Sequence, residues 1–197
     1  MQAFWNQRYE EPGFAYGTQP NLFFKTQLDL LTPGTLLMPA EGEGRNAVYA
    51  ATKGWTVTAF DSSSSGQRKA HQLAQENAVT LHYLLEDARE VSFPEASFDA
   101  IGLIFVHLPP NFRSDFHQKV VSWLKPGGHL ILEGFSKDQL QHPSGGPKDP
   151  AMLFSEAMLR EDFQLLQDIH IESITTTLEE GQYHVGSAAV VRLTGTR

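Results

Sequence analysis

Short apolar, β-branched runs alternate along this chain with longer segments of helical period, and that alternation constrains the fold more than any other feature. It is the signature of βαβ units and of a parallel sheet covered on both faces. The first strand is predicted over Gly34–Ala40, followed by a glycine-bearing turn and a helix through Gly44–Ala51 that stops at Lys53-Gly54. Strand two is Thr56–Asp61. Serines 62 to 65 cap a second helix over Gln67–Glu76, and Val79–Leu84 reads as strand three. Ser97–Phe105 is nearly all apolar, as the buried centre of a parallel sheet should be. After Pro109-Pro110 a helix is predicted over Phe112–Leu124, and Lys125-Pro126-Gly127-Gly128 turns it into strand five, His129–Phe135. The tail differs: Leu166–Leu178 and His184–Leu193 alternate in polarity about Glu179-Glu180-Gly181-Gln182, which predicts an antiparallel hairpin. His142–Pro150 is too rich in Pro and Gly for an element and is predicted to be a loop.

The length, 197 residues, favours one domain. The 23 acidic residues against 15 basic give a net charge of −8 without any block of like charge, which disfavours nucleic acid and anionic membranes as partners. The absence of cysteine excludes disulfides, thiolate catalysis and thiolate metal sites. The start of the chain carries no signal pattern and no apolar stretch is long enough to cross a bilayer, so the expected location is the cytoplasm. The eight histidines show no close pairing suited to a metal.

Glu41-Gly42-Glu43-Gly44-Arg45-Asn46-Ala47 lies between a strand and a helix, where glycines let the backbone approach a ligand and a helix N-terminus presents unpaired N–H groups. Read as Gly-x-Gly-x-x-Ala with Asp61 closing strand two, it also fits a dinucleotide fingerprint. A nicotinamide-dependent oxidoreductase is therefore one reading, although no substrate domain accompanies it. A turn that uses its glycines only for tight packing is another. Ligands of open α/β sheets bind beyond the carboxyl ends of the strands, where Ala40 to Gly42, Asp61, Asp87 and Phe105 to His107 all fall.

Several pieces together resemble the class I S-adenosylmethionine-dependent methyltransferases, and within them the small tellurite-resistance and thiopurine-methyltransferase-like group. They are Phe4-Trp5-Asn6-Gln7-Arg8-Tyr9 with Phe14-Ala15-Tyr16-Gly17 and Pro20-Asn21, the turn Pro39 to Ala47, Asp61, Asp87-Ala88, and Leu124-Lys125-Pro126-Gly127-Gly128. The resemblance implies a Rossmann-like, seven-stranded, mostly parallel sheet with helices on both faces and a last strand inserted antiparallel, in agreement with the hairpin. It implies one methyltransferase domain over 1–197, with residues 1–33 an arm and helix forming a lid. Met38 and Ala40 stand where the family usually has an acid and a glycine, which leaves Glu41 or a water to meet the methionine amino group.

The cofactor implied is S-adenosyl-L-methionine, with S-adenosyl-L-homocysteine as product. Asp61 would accept from the ribose diol beside Ser62, and Asp87 from the adenine amine beside the Ala88 N–H. Ala40, Glu41 and Gly42 at the turn, and Phe105 and Val106 after strand four, are the further cofactor-binding candidates. The aromatic entry Phe4, Trp5, Tyr9, Phe14 and Tyr16 would cover the sulfonium, a cation that aromatic faces attract, or else staple the arm to the sheet by large apolar rings. His107, after strand four, is a catalytic candidate that would act as a general base or orient the acceptor, or else a hydrogen-bonded histidine capping the next helix. The expected acceptor is a small molecule, foremost a soft sulfur, selenium or tellurium nucleophile, and the expected assembly a monomer or homodimer. A non-catalytic module that only binds the cofactor is a third reading.

Overall fold

The computed structural model describes residues 2–197; Met1, the first residue of the arm, lies outside them. Two helices, α1 (Gln2–Glu10) and α2 (Leu22–Leu28), precede β1 (Thr35–Pro39), α3 (Arg45–Thr52), β2 (Thr56–Asp61), α4 (Ser64–Glu76), β3 (His82–Leu85) and β4 (Phe98–Ile104). Then come α5 (Pro110–Trp123), β5 (Leu124–Phe135), α6 (Glu156–Asp162), β6 (Gln167–Glu180) and β7 (His184–Thr196). The seven strands form one sheet in the order β3-β2-β1-β4-β5-β7-β6, parallel through β5 and antiparallel in β7 and β6.

Alternation along each strand fills both faces. Leu37, Phe60, Ile101, Leu130 and Leu132 point to the side packed by Phe116 and Val120 of α5 and Leu159 of α6. Their neighbours Leu36, Met38, Ala59, Ala100 and Ile131 point to the other side, against Phe24 of α2, Ala47 of α3 and Ala70 of α4. Side chains two residues apart share a face, so strands apolar throughout are what a sheet buried on both sides requires.

The departures from the predicted boundaries have local causes. Residues 77–81 still close α4 rather than starting a strand, because the amides of Asn77 and Val79 donate to Leu73 and Ala74 and Ala78 is left-handed at φ 55°. β3 is correspondingly shorter than predicted. Within the predicted serine run it is Ser63 that caps α4, its hydroxyl accepting from the Gly66 amide at 3.1 Å. The hairpin turn is only Gly181–Tyr183, since Glu179 and Glu180 pair with Val185 and His184. The short helix α6, capped by Ser155, has no counterpart in the sequence prediction.

Candidate active site

A cavity of about 530 Å³ lies beyond the carboxyl ends of β1, β2, β3 and β4, within the range of small-molecule sites. Its wall takes Ala40 and Glu41 from the turn after β1, Asp61 and Ser62 from the end of β2, and Asp87 and Ala88 from the segment after β3. Phe105, Val106 and His107 follow from β4, and Trp5 and Tyr16 from the arm. Gly42 alone among the expected residues is not on that wall. It is left-handed at φ 62°, and a Cβ there would overlap the hydroxyl end of Tyr9, so its small size seats the arm rather than exposing backbone to the cavity.

Asp61 is buried and accepts from the Gly42 amide at 3.1 Å and the Ser63 amide at 2.8 Å. Burial pushes its carboxyl up to about 6, against the pull of those N–H groups. The Glu41 carboxylate reaches the open start of α3, accepting from the amides of Asn46 at 2.8 Å and Ala47 at 2.7 Å through one oxygen. It thereby supplies the cap that Gly44 cannot. Burial raises Glu41 to about 7. Asp87 is more open; it accepts from the Arg89 amide and stands 3.9 Å from that guanidinium. Phe105 holds a left-handed backbone at φ 55°, unusual for a bulky residue, and its ring meets Phe135 at 4.6 Å.

Residues 37–128 match the sequence model of a family described as "Methyltransferase domain". That stretch of the chain, from β1 into β5, is similar to a methyltransferase domain. A curated relative, the 2-methyl-6-phytyl-1,4-hydroquinone methyltransferase of Synechocystis sp., is 28% identical over 130 residues, which are 64% of this chain and 40% of that protein. The chain thus spans less than half the length of that relative. Among solved structures, a S-adenosylmethionine-dependent methyltransferase from Methanosarcina mazei superposes with a TM-score of 0.69 at 20% identity, over 87% of this chain and 96% of the other. TehB from Haemophilus influenzae superposes with a TM-score of 0.75 at 14% identity, over the whole of this chain and 66% of the other. These likenesses show the Rossmann-like fold that such methyltransferases share, and the domain match favours methyl transfer over the oxidoreductase reading of the glycine turn.

Two positions at the turn after β1, Met38 and Ala40, differ from the acid and glycine of the family that the sequence resembles. Met38 is a core residue: its sulfur lies over Gly102, where a Cβ would come within 2.7 Å of it, and α2 seals it with Phe24. An acid there would be buried without a partner on that face. Ala40 keeps the left-handed backbone, φ 48°, that a glycine would adopt freely. Around them the residues fit S-adenosylmethionine, the cofactor of the class. A buried carboxylate closes β2, a second one, Glu41, stands at the turn, and aromatic rings face the space between. When bound, the cofactor supplies a methyl group already activated by positive sulfur.

On the far wall of the cavity, the surroundings of His107 differ from those a general base needs. Its Nδ1 lies 2.8 Å from the Met152 carbonyl and its Nε2 accepts from the Phe135 amide at 3.1 Å, so neither nitrogen is open to take a proton. Burial lowers this imidazole to about 4, and it stacks on Phe154 at 4.7 Å. It ties three chain segments together. Sequence reasoning missed the histidine that does face the cavity with a nitrogen to spare. His184, the first residue of β7, packs its ring 4.4 Å from Tyr16 and 4.5 Å from Phe105. Its Nδ1 is 3.1 Å from Glu180, which also binds Arg45 at 2.8 Å and Asn21 at 2.9 Å. The one available signal was the placement of Glu180 and His184 on either side of a glycine turn, which reads equally well as an exposed hairpin end.

Proposed function

We propose that this protein transfers the methyl group of S-adenosylmethionine to a small-molecule acceptor, with a soft sulfur, selenium or tellurium nucleophile as the first class. The observation that carries the reading is the continuity of one cavity from Asp61 and Glu41, on the cofactor side, to the rings of Tyr16, Phe105 and Phe135 on the other. In this reading Asp61 accepts from the ribose diol with Ser62 beside it. Asp87 and Ala88 meet the adenine edge, and Glu41 meets the methionine amino group in place of the acid that Met38 displaces. Trp5 and Tyr16 cover the sulfonium, and Phe105 and Val106 wall the transfer path. Gly42 acts indirectly, by seating Tyr9.

In-line methyl transfer asks the protein mainly for alignment and a dry site, which an aromatic cover provides. The TehB likeness supports the tellurite-resistance subgroup at the level of fold. The hydroquinone named in the curated relative favours a phenolic acceptor as the second class. No helix of the described residues is long and apolar enough to cross a membrane, in keeping with an acceptor met in water. The test incubates the protein with methyl-labelled S-adenosylmethionine against small thiols, chalcogen oxyanions, phenols, bulk tRNA and a protein lysate. Label in the small-molecule fraction is expected. Label chiefly in RNA or protein would overturn the acceptor class, and cofactor binding without any product would reduce the chain to a binding module.

A further inference from the structure

We infer that His184 is the general base of this site, oriented by Glu180 and Arg45, and that the acceptor is a thiol taken in with its proton still attached. The inference rests on the methyl-transfer reading above and deepens it by naming the acceptor's protonation state and the group that changes it.

The geometry begins at the last rung of the hairpin, where Glu180 and His184 face each other across β6 and β7. The Glu180 carboxylate accepts from Arg45 at 2.8 Å and from Asn21 at 2.9 Å, so it is anchored from two further elements, α3 and the start of α2. Burial alone would raise this carboxyl, but the His184 hydrogen bond and the Arg45 charge hold it well below its ordinary value. A carboxylate can only accept, so the 3.1 Å contact places the proton of a neutral imidazole on Nδ1 and the lone pair on Nε2. Among the described residues Nε2 has no hydrogen-bond partner, and the side chain borders the cavity. Gly145, left-handed at φ 111°, lies against the same edge of the ring: a Cβ there would stand 2.9 Å from Cδ2 and 3.6 Å from Nε2. The tightest contact of such a Cβ would be with the Tyr183 carbonyl oxygen at 2.5 Å, which, with the left-handed backbone, requires a glycine there.

The surroundings decide the form in which the acceptor enters. Tyr16, Phe105 and Phe135 enclose the ring at 4.4, 4.5 and 5.1 Å, and an anion moved into such a box loses its hydration. A neutral thiol does not carry that cost. The groups facing His184 are Glu180 on β6, Arg45 on α3, Arg8 on α1, Tyr16 in the arm and His107 after β4; burial first, then the Arg45 and Arg8 charges, lower its pKa against the pull of Glu180. That balance favours the uncharged ring, which is ready to accept. The thiol proton passes to Nε2, and the sulfur electron pair it leaves behind forms the new bond to the methyl carbon. The pair of the broken methyl–sulfonium bond stays on the donor sulfur, and the imidazolium, paired with Glu180, returns its proton to water.

The experiment compares the full-length protein with His184→Asn, whose amide nitrogen keeps the donor to Glu180 while removing the base, and with Glu180→Gln. Two acceptors are used: benzyl mercaptan, protonated at neutral pH, and 4-nitrothiophenol, already ionised. S-adenosylhomocysteine affinity is measured by calorimetry and the imidazole tautomer by nitrogen NMR. His184→Asn should bind S-adenosylhomocysteine within about threefold of wild type and lose about a hundredfold or more in turnover of benzyl mercaptan, while 4-nitrothiophenol changes by less than about fivefold. The wild-type benzyl mercaptan rate should rise with pH through the His184 titration and lose that rise in the variant, and the spectrum should show the proton on Nδ1. Equal turnover of benzyl mercaptan by a folded, cofactor-binding His184→Asn, or an imidazole protonated at both nitrogens at neutral pH, would overturn the base. A wild type that binds S-adenosylhomocysteine yet methylates neither thiol would overturn the thiol, and one that does not bind it would overturn the methyl-transfer reading itself.

Discussion

The ring of Tyr9 rests on Gly42 so closely that no other residue type fits at that position without displacing it. This contact joins the arm to the turn after β1, and the Tyr83 hydroxyl, donating to the Gly42 carbonyl at 2.6 Å, holds the turn from the opposite side. Gly42→Val should therefore unseat α1 as well as strain a left-handed backbone. Cofactor binding should be lost and hydrogen exchange should accelerate over residues 2–16. Unchanged exchange in the arm together with normal binding would contradict this arrangement.

Asp61→Ala should weaken S-adenosylmethionine binding by ~1.5–3 kcal/mol, about ten- to a hundredfold, through loss of charge-assisted hydrogen bonds. The same change leaves the Gly42 and Ser63 amides without their acceptor, so a loss of melting temperature should accompany it. Calorimetry on a variant shown to be folded separates the two effects.

Glu41 ties stability to pH. Its carboxyl is raised to about 7 from an ordinary 4.5, so between those values the folded chain keeps a proton that the unfolded chain has released. The stabilisation is complete below about 4.5 and disappears as the pH rises through 7. Wild-type denaturation midpoints should fall from pH 5 to pH 8, and Glu41→Gln should flatten that slope, leaving the smaller part due to Asp61. If Glu41 meets the positive amino group of the ligand, binding at pH 7 should also release protons, seen as a dependence of the calorimetric heat on buffer.

Trp5 and Tyr9, stacked at 5.5 Å, should separate cover from foundation. Trp5 is half-buried on the cavity wall, and its replacement by Ala should cost about two- to thirtyfold in cofactor affinity with a small change in melting temperature. Tyr9 is buried, and Tyr9→Ala should destabilise by ~3–5 kcal/mol, as large aromatic deletions in cores do. Thermal melts and titrations of the two variants check the contrast.

Ala40→Gly should raise stability by about 1 kcal/mol, because relief of the left-handed alanine exceeds the extra freedom that glycine gives the unfolded chain. Chemical denaturation measures it, and a loss of stability would contradict it.

The parallel half of the sheet and the carboxylates at its ends were legible in the sequence because each depends on local pattern: a strand of period two, a glycine turn, an acid at a strand end. Leu36 and Leu37 part to opposite faces simply because they are neighbours in a strand. What escaped depends on partners distant in the chain. His107 is made structural by the Met152 carbonyl, 45 residues away, and Asn21 reaches Glu133, 112 residues away. Lys69 stitches the arm through Glu11, Gly13 and Glu43, and nothing in its helix forecasts this. The seven residues of α6 are too few for a helical period to show.

The hairpin turn of Gly181–Tyr183 has a consequence for how the substrate range of such a protein changes over time. β7 pairs with β6 along its length and with β5 from Val190 to Thr196, so insertions within either strand would shift a whole register. The three turn residues are under no such constraint. Gly181 packs on the arm backbone at Ala15 and Gly17, while Tyr183 and His184 border the cavity, so a lengthened or exchanged turn would re-cut one side of the pocket at a closure cost of well under ~1 kcal/mol per doubling in length. Lineages that diverge in the molecule they modify would then carry their differences in this turn and its partners in the arm, while the segment from β1 to β3 stays recognisable.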